Sequence, residues 1–339
     1  MSLVQDRRIS HFHEAARLGS VRAAADFLNV APSAVSRQIT QLEHELGMPL
    51  LERHRRGVKP TEAGERVLEY YRQRLAQQEV LLESLQSLKG LQSGSLVLAI
   101  GEGFIEGLAG PLSRFSARYP GIELKVNLCG TNEVIRQVVE DEAHLGLVFH
   151  PTRDPKIRTH VSRPQPVCAV VNPQHDLARQ LEEQPFGGQP LGGQQFAAQQ
   201  GSRRAAGKAE PLSLATLASH SLALPEVSFG IRQIVAQAEH QAGVMLSPTL
   251  TCNALAMLKQ FALHGGVTLL PEFVVSEEVA AGRLCRIPLQ EAQFVTPHVQ
   301  LISRLGRQLS DGASRLSSLL QQDMTAFSPS EGGSVGQSR

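Results

Sequence analysis

Ser33, Ser36, Arg37, Thr40 and Gln41 recur at steps of three and four residues, a spacing that gathers side chains on one face of a helix. Hydroxyls, an amide and a guanidinium on one face suit base edges and phosphate oxygens. Arg53, Arg55, Arg56 and Lys59 follow within a short stretch, and residues 1–60 hold nine Lys or Arg against six Asp or Glu, whereas the whole chain has a net charge of +1. Positive charge is therefore concentrated where phosphates would be met. Bond-making chemistry finds less support. His, Cys and acidic residues do not fall at metal-ligand or activated-nucleophile spacings, and Gly101 to Gly107 (GEGFIEG) lacks the spacing of a dinucleotide loop. No catalytic or metal-ligating residue, no enzymatic activity and no cofactor are expected, and an α/β enzyme stands only as the rival class.

The elements that must carry the polar face are two short helices around a turn. Ala24, Ala25 and Leu28 form an apolar stripe in a first helix from Val21 to Leu28, and Asn29 and Val30 break it. Pro32 restarts the helix, because proline at the first helical position loses no hydrogen bond. Val35, Ile39, Leu42 and Leu46 then face the first helix and leave the polar set and His44 outward. Such pairs also occur in helical bundles. The next residues favour nucleic acid: Leu50 to Pro60 read as a short strand, a basic turn and a second strand, a wing directly behind the polar helix.

From Thr61 to about Leu91 the chain reads as one long charged helix, in which Leu68, Tyr71, Leu75, Gln78, Leu82, Leu85 and Lys89 draw a heptad-like seam with one polar interruption. The seam needs a partner, either a second subunit or the helix's own domain. Past the hinge Gln92, Ser93, Gly94 the pattern becomes α/β. Strands are expected at Ser95–Gly101, Ile122–Leu128, Leu145–Phe149, Ser221–Leu224 and Val267–Leu270, with helices from near Phe104 and at about Asn132–Glu142, Gly230–Ala242 and Ala254–His264. This alternation predicts a parallel sheet covered on both faces.

The run AAADFLNVAPSAVSRQITQLEHELGMPLLER, the basic turn and the PTEAGE run from Pro60 to Glu65 resemble the winged helix-turn-helix of LysR-type transcriptional regulators. The resemblance implies a multi-domain chain: an all-α winged helix-turn-helix (1–60) with a long linker helix (61–92), then an α/β two-subdomain, periplasmic-binding-protein-like effector domain (93–327). Subdomain I would span 95–163 and 283–327, and subdomain II 164–282. It implies that Ser33, Ser36, Arg37, Thr40, Gln41, Arg53, Arg55, Arg56 and Lys59 contact DNA. Leu68, Tyr71, Leu75, Leu82 and Leu85 would dimerise. Homodimers or homotetramers would meet an inverted-repeat operator, with RNA polymerase a partner if the outcome is activation. Ligands of open α/β sheets sit beyond the carboxyl ends of strands, so Glu102, Gly103, Phe104, Thr131, Asn132, Ser228, Phe229 and Asn253 are the candidates for a small-molecule effector. Thr131, Asn132, Ser228 and Asn253 could equally be helix caps.

Four positions depart from relatives. Ala31 and Pro32 stand where many carry a hydroxyl cap followed by Gln, so base preference is less transferable. Glu102 stands where a small hydroxyl residue suits an anionic effector. Either an uncharged or cationic ligand is bound partly by Glu102, or an anion binds while Glu102 turns away. His144 replaces a frequently acidic residue.

Residues 179–210, rich in Gln, Gly and Ala, read as a flexible insertion, and 328–339 as a disordered tail. No apolar run is long enough for a membrane span and no signal peptide is evident, so a soluble cytoplasmic protein without a membrane partner is expected. Cys129, Cys168, Cys252 and Cys285 lie far apart and read as buried thiols. Cys129 and Cys252, near predicted strand ends at the cleft, leave a thiol-based redox sensor of the same architecture as the alternative.

Overall fold

The helix Val21–Leu28 is capped at its start by Ser20, whose hydroxyl accepts a hydrogen bond from the Ala23 amide at 3.3 Å, and at its end by Asn29, which takes a left-handed conformation at φ 53°. In the computed structural model, which describes residues 6–55, 57–88, 94–182, 211–227 and 229–327, the chain divides into two compact units. One comprises Met1–Leu91 with Gly306–Ser310, the other Gln92–Leu305 with Asp311–Arg339.

The first unit holds α1 (Asp6–Arg17), α2 (Val21–Leu28), α3 (Pro32–Leu46), β1 (Leu51–His54), β2 (Gly57–Pro60) and α4 (Glu62–Leu88). Its core joins Ile9 and Phe12 of α1, Ala24 and Ala25 of α2, and Val35, Ile39 and Leu42 of α3 with Leu50, Leu68 and Tyr71. The small alanines let α2 lie close against its neighbours. The Glu43 carboxylate accepts from the amides of Leu50 and Leu51 at 2.8 and 3.2 Å, which fixes where the chain leaves α3 for the wing.

The PTEAGE run has a structural reason. Thr61 donates its hydroxyl to the Pro49 carbonyl at 2.8 Å and accepts from the Gly64 amide at 3.0 Å, capping α4 and tying it to the wing. Gly64 lies so close that a Cβ there would stand 2.2 Å from the Leu50 carbonyl oxygen.

The second unit contains two mixed five-stranded sheets. The first, in order β4-β3-β5-β12-β6, is built from β3 (Gly94–Ile100), β4 (Ile122–Leu128), β5 (Leu145–Phe149), β6 (Ile157–Pro164) and β12 (His298–Arg304). The second, in order β11-β7-β10-β8-β9, contains β7 (Val167–Val171), β8 (Leu222–Pro225), β9 (Leu250–Cys252), β10 (Val267–Pro271) and β11 (Cys285–Ile287). The helices are α5 (Ile105–Arg118), α6 (Thr131–Val139) and α12 (Asp311–Asp323) beside the first sheet's strands. Those interleaved with the second are α7 (Asp176–Glu182), α8 (Leu214–Leu217), α9 (Gly230–Ala242), α10 (Leu255–Leu263) and α11 (Ser276–Ala280).

The expectation of a parallel sheet is corrected. β3, β4 and β5 are parallel, as are β8, β9 and β10, but β12 runs antiparallel to β5 and β6, and β7 antiparallel to β10 and β11. The chain enters the second lobe after β6 and returns after β11, so the first sheet takes strands from both ends of the unit and the second is built from the stretch between them. The subdomain boundary at 282/283 moves as well. Cys285 pairs with Val171, which keeps β11 in the second lobe and puts the return between Ile287 and His298. Residues 179–182, read as the start of a flexible insertion, are instead the end of α7. Residues 183–210 and the tail 328–339 lie outside the described residues.

Candidate functional site

α3 begins as its sequence requires. Ala31 contributes no side-chain cap, Pro32 occupies the first turn, and the Ala31 carbonyl accepts from the Ala34 amide at 2.9 Å. Ser33, Arg37, Thr40 and Gln41 are exposed on one face. Ser36 is half-buried, and its hydroxyl accepts from the Arg53 guanidinium at 3.4 Å, joining the helix face to the wing. In the β1–β2 ribbon Glu52 pairs with Lys59 and Arg53 with Val58; Val58 is buried while Arg53, Arg55 and Lys59 are exposed. Strand alternation thus turns the apolar side chain inward and the lysine outward. Arg56 lies outside the described residues.

In the second unit the loops beyond β3, β4, β5, β8, β9 and β10 converge on an apolar cavity of about 30 Å³, room for about two waters. Gly101 to Phe104 form one wall, Cys129 to Thr131 a second, Phe149 a third, and Phe229 to Ile231, Leu255 and Pro271, Phe273 and Val274 the facing lobe. Phe273 lies between Phe104 and Phe149, with ring centroids 5.1 and 6.2 Å away. Gly230 starts α9 against the other lobe, where a Cβ would stand 2.7 Å from the Phe149 carbonyl oxygen.

The Glu102 carboxylate crosses the cleft. Its two oxygens accept from the Leu255 amide at 2.7 Å and the Ala256 amide at 3.2 Å, the first donors of α10. Ala254, the residue before that helix, has no side chain able to do so, and Glu102 supplies the missing cap from the opposite lobe. Nearby, Lys259 of α10 donates to Glu106 of α5 and to Glu278 of α11, the latter at 2.9 Å. Burial disfavours the Lys259 charge, but the hydrogen bonds and charges of both carboxylates outweigh it and raise its pKa.

A family model described as "Bacterial regulatory helix-turn-helix protein, lysR family" matches residues 7–65, and one described as "LysR substrate binding domain" matches 89–188 and 189–325. The chain belongs to the LysR family. Among its relatives, the RuBisCO operon transcriptional regulator of Allochromatium vinosum is 26% identical over 311 residues, covering 91% of this chain and 92% of that protein. The SDS degradation transcriptional activation protein of a Pseudomonas species is 28% identical over 321 residues, 93% and 94% of the two chains. A full-length cysteine-to-aspartate variant of OxyR from Pseudomonas aeruginosa has a TM-score of 0.59 at 17% identity, covering 96% of this chain and 97% of its own. LysG of Corynebacterium glutamicum with bound effector arginine has a TM-score of 0.58 at 17% identity, covering 93% and 96%.

LysR-family proteins are transcriptional regulators, which removes the α/β enzyme as a rival. Of the residues expected to contact an effector in this LysR-family chain, Glu102, Gly103, Phe104, Thr131 and Phe229 line the cavity. Asn132 and Asn253 do not. Thr131 is the first residue of α6, which leaves Asn132 one step further round and exposed. Asn253 precedes the cap position of α10 and is also exposed. Ser228 lies outside the described residues. The capping alternative fails for Thr131, whose hydroxyl is 3.5 Å from the Phe149 carbonyl, because Gly130 holds the cap position of α6. Phe149, at the end of a strand expected from the sequence, lines the cavity too, whereas Pro271, Phe273 and Val274 were missed, although the same strand-end rule reaches them from β10.

His144 gains a role. Its Nδ1 accepts from the Val97 amide at 3.0 Å while its own amide donates to the Val97 carbonyl at 2.9 Å, so it prolongs the pairing of β3. Cys129 is unlike an oxidant-reactive thiol. Burial and the charge of Glu133 push its pKa up, and Glu133 stays ionised because hydrogen bonds from Arg136 and Gln137 hold its carboxyl at about 2. No disulfide joins the four cysteines.

The dimerisation set needs a correction. Leu68 and Tyr71 are 3% and 8% exposed and belong to the core of their own unit. Leu75, Leu82 and Leu85 are exposed, together with Leu81. The first turns of α4 therefore pack on their own domain, and only the later part presents an apolar stripe.

Proposed function

We propose that this LysR-family regulator binds an operator of the inverted-repeat type and that a small molecule in the effector cleft controls the binding. The observation that carries the DNA half is the exposed face of Ser33, Arg37, Thr40 and Gln41, braced by the Arg53–Ser36 hydrogen bond and flanked by the exposed basic wing. Arg37, Thr40 and Gln41 read base edges, while Arg53, Arg55 and Lys59 hold phosphates. The control half is supported by the cavity where six strand ends and the first turns of α6, α9 and α10 converge. Two subunits joined through the exposed part of α4 match two half-sites, and a further pairing gives the tetramer. RNA polymerase is the partner where the outcome is activation, and the cytoplasm is the compartment in which such an operator is met.

The test is fluorescence anisotropy on a duplex from upstream of the protein's own reading frame, against a scrambled duplex. Arg37→Ala should cost about 1–3 kcal/mol on the operator and little on the scrambled duplex. Equal losses on both would assign Arg37 to phosphate contact, and no loss on either would remove α3 as the reading helix.

A further inference from the structure

Anions are drawn to helix N-termini, where unpaired amides and the helix dipole meet them. In this cleft the first amides of α10 are already taken by the chain's own Glu102 carboxylate, reaching across from the other lobe. Two further ties join the same pair of lobes: the Lys259 bridge from Glu106 to Glu278, and Phe273 seated between Phe104 and Phe149. Gly103 adds to the closeness, since a Cβ there would meet the Val274 side chain at 3.0 Å. What remains is a small cavity with aromatic and aliphatic walls and one fixed negative charge at its edge.

We propose that Glu102 is a built-in ligand: its carboxylate latches the two lobes through the α10 amides, excludes anionic effectors, and leaves the cleft to an uncharged, apolar small molecule. The proposal rests on the reading of this unit as effector-controlled and names the class of ligand it takes. An entering anion would have to displace Glu102 from its two donors and then lie beside it in a poorly hydrated site, whereas an apolar molecule need only part the phenylalanines. A carboxylate supplied by the chain itself costs no association entropy, which favours it over a carboxylate arriving from solution.

The experiment compares wild type with Glu102→Ser, using sodium benzoate and its uncharged analogue benzamide as probes. Amide hydrogen exchange reads the latch and thermal denaturation reads probe binding. In wild type, the Leu255 and Ala256 amides should exchange slowly and benzoate should leave Tm unchanged. In Glu102→Ser those amides should exchange at least about tenfold faster, a loss of roughly 1.4 kcal/mol of local protection. Benzoate at about ten times its dissociation constant should then restore protection and raise Tm by roughly 3–6 °C, with benzamide doing neither.

Fast exchange at both amides in wild type, equal benzoate stabilisation of both proteins, or a variant on which benzoate acts no better than benzamide would each overturn the proposal. Protection in β7 and β10 reports whether the variant is folded. If it is not, Glu102→Gln keeps one acceptor oxygen without the charge and should show intermediate exchange at Leu255 and Ala256; wild-type exchange there would also overturn the latch. Operator affinity measured alongside separates the two readings. Benzoate that binds Glu102→Ser without altering DNA affinity would leave the latch standing and remove effector control.

Discussion

Gly64 illustrates how one residue answers to its surroundings more than to its own helix. Alanine is favoured over glycine within a helix by about 1 kcal/mol, so helix propensity alone would make Gly64→Ala stabilising. Its Cβ would stand 2.2 Å from the Leu50 carbonyl oxygen, and backbone cannot yield as a side-chain tip can. The expected result is destabilisation of the DNA-binding unit by about 1–3 kcal/mol in chemical denaturation. A variant as stable as wild type would show that α4 does not approach the wing so closely. Single residues were also legible most unevenly. Outward and inward sides of α3 could be told apart because helical periodicity separates them. Glu102 stood out by charge, but its partners were hidden, since they are backbone amides more than 150 positions away. No pattern in the chain reports such a contact. Asn132 and Asn253 have the residue type of a helix start, yet Asn132 stands one helical step past Thr131 and Asn253 precedes the cap position of α10, and neither lines the cavity.

Among the elements, α4 carries two different jobs along its length. Leu68 and Tyr71 close the core of its own unit, whereas Leu81, Leu82 and Leu85 are 57%, 52% and 48% exposed. A heptad pattern cannot tell these parts apart, because both need apolar residues at the same spacing. Changing Leu82 and Leu85 together to Glu should raise the dimer dissociation constant about 100-fold or more, given about 1.5–3 kcal/mol for each buried leucine. Analytical ultracentrifugation would read it, and an unchanged mass would exclude this stripe as the interface. The first lobe's sheet carries a pH response. His150 and His160 both have lowered pKa values, by burial first, then by the charges of His298 and Arg158 respectively. Their protonation favours the unfolded chain, so their contribution is fully present above the ordinary imidazole pKa of 6.5 and is lost as pH falls below it. The urea midpoint of the effector unit should therefore drop from neutral pH toward pH about 5. Replacing both with Gln should reduce that drop, part of which remains with His175, whose pKa burial also lowers, and a wild-type midpoint independent of pH in this range would contradict the assignment. β7, β9 and β11 escaped the sequence reading because three to five residues leave no alternation to recognise, β6 because IRTHVSRP is mostly polar, and β12 because its alternation breaks at the irregularity between Leu301 and Ile302.

The whole molecule combines a LysR-family DNA-binding unit with a two-lobed effector unit, and regulation requires that the cleft and the polar face of α3 be thermodynamically linked. The DNA-binding segment was legible from an ordered run of motifs and the effector segment from its order of strands and helices, while the boundary between lobes was not. The return of the chain is set by which sheet β11 joins, a pairing between Cys285 and Val171 that lie far apart in sequence. Linkage is reciprocal: a molecule that binds one arrangement of the lobes more tightly changes operator affinity by the same factor as the operator changes its own binding. The most direct measurement is operator affinity of Glu102→Ser, by anisotropy at fixed salt, with its cleft empty and saturated with benzoate. Control by the cleft predicts a change of about 5- to 150-fold between the two conditions. Identical affinities with the cleft demonstrably filled would contradict it.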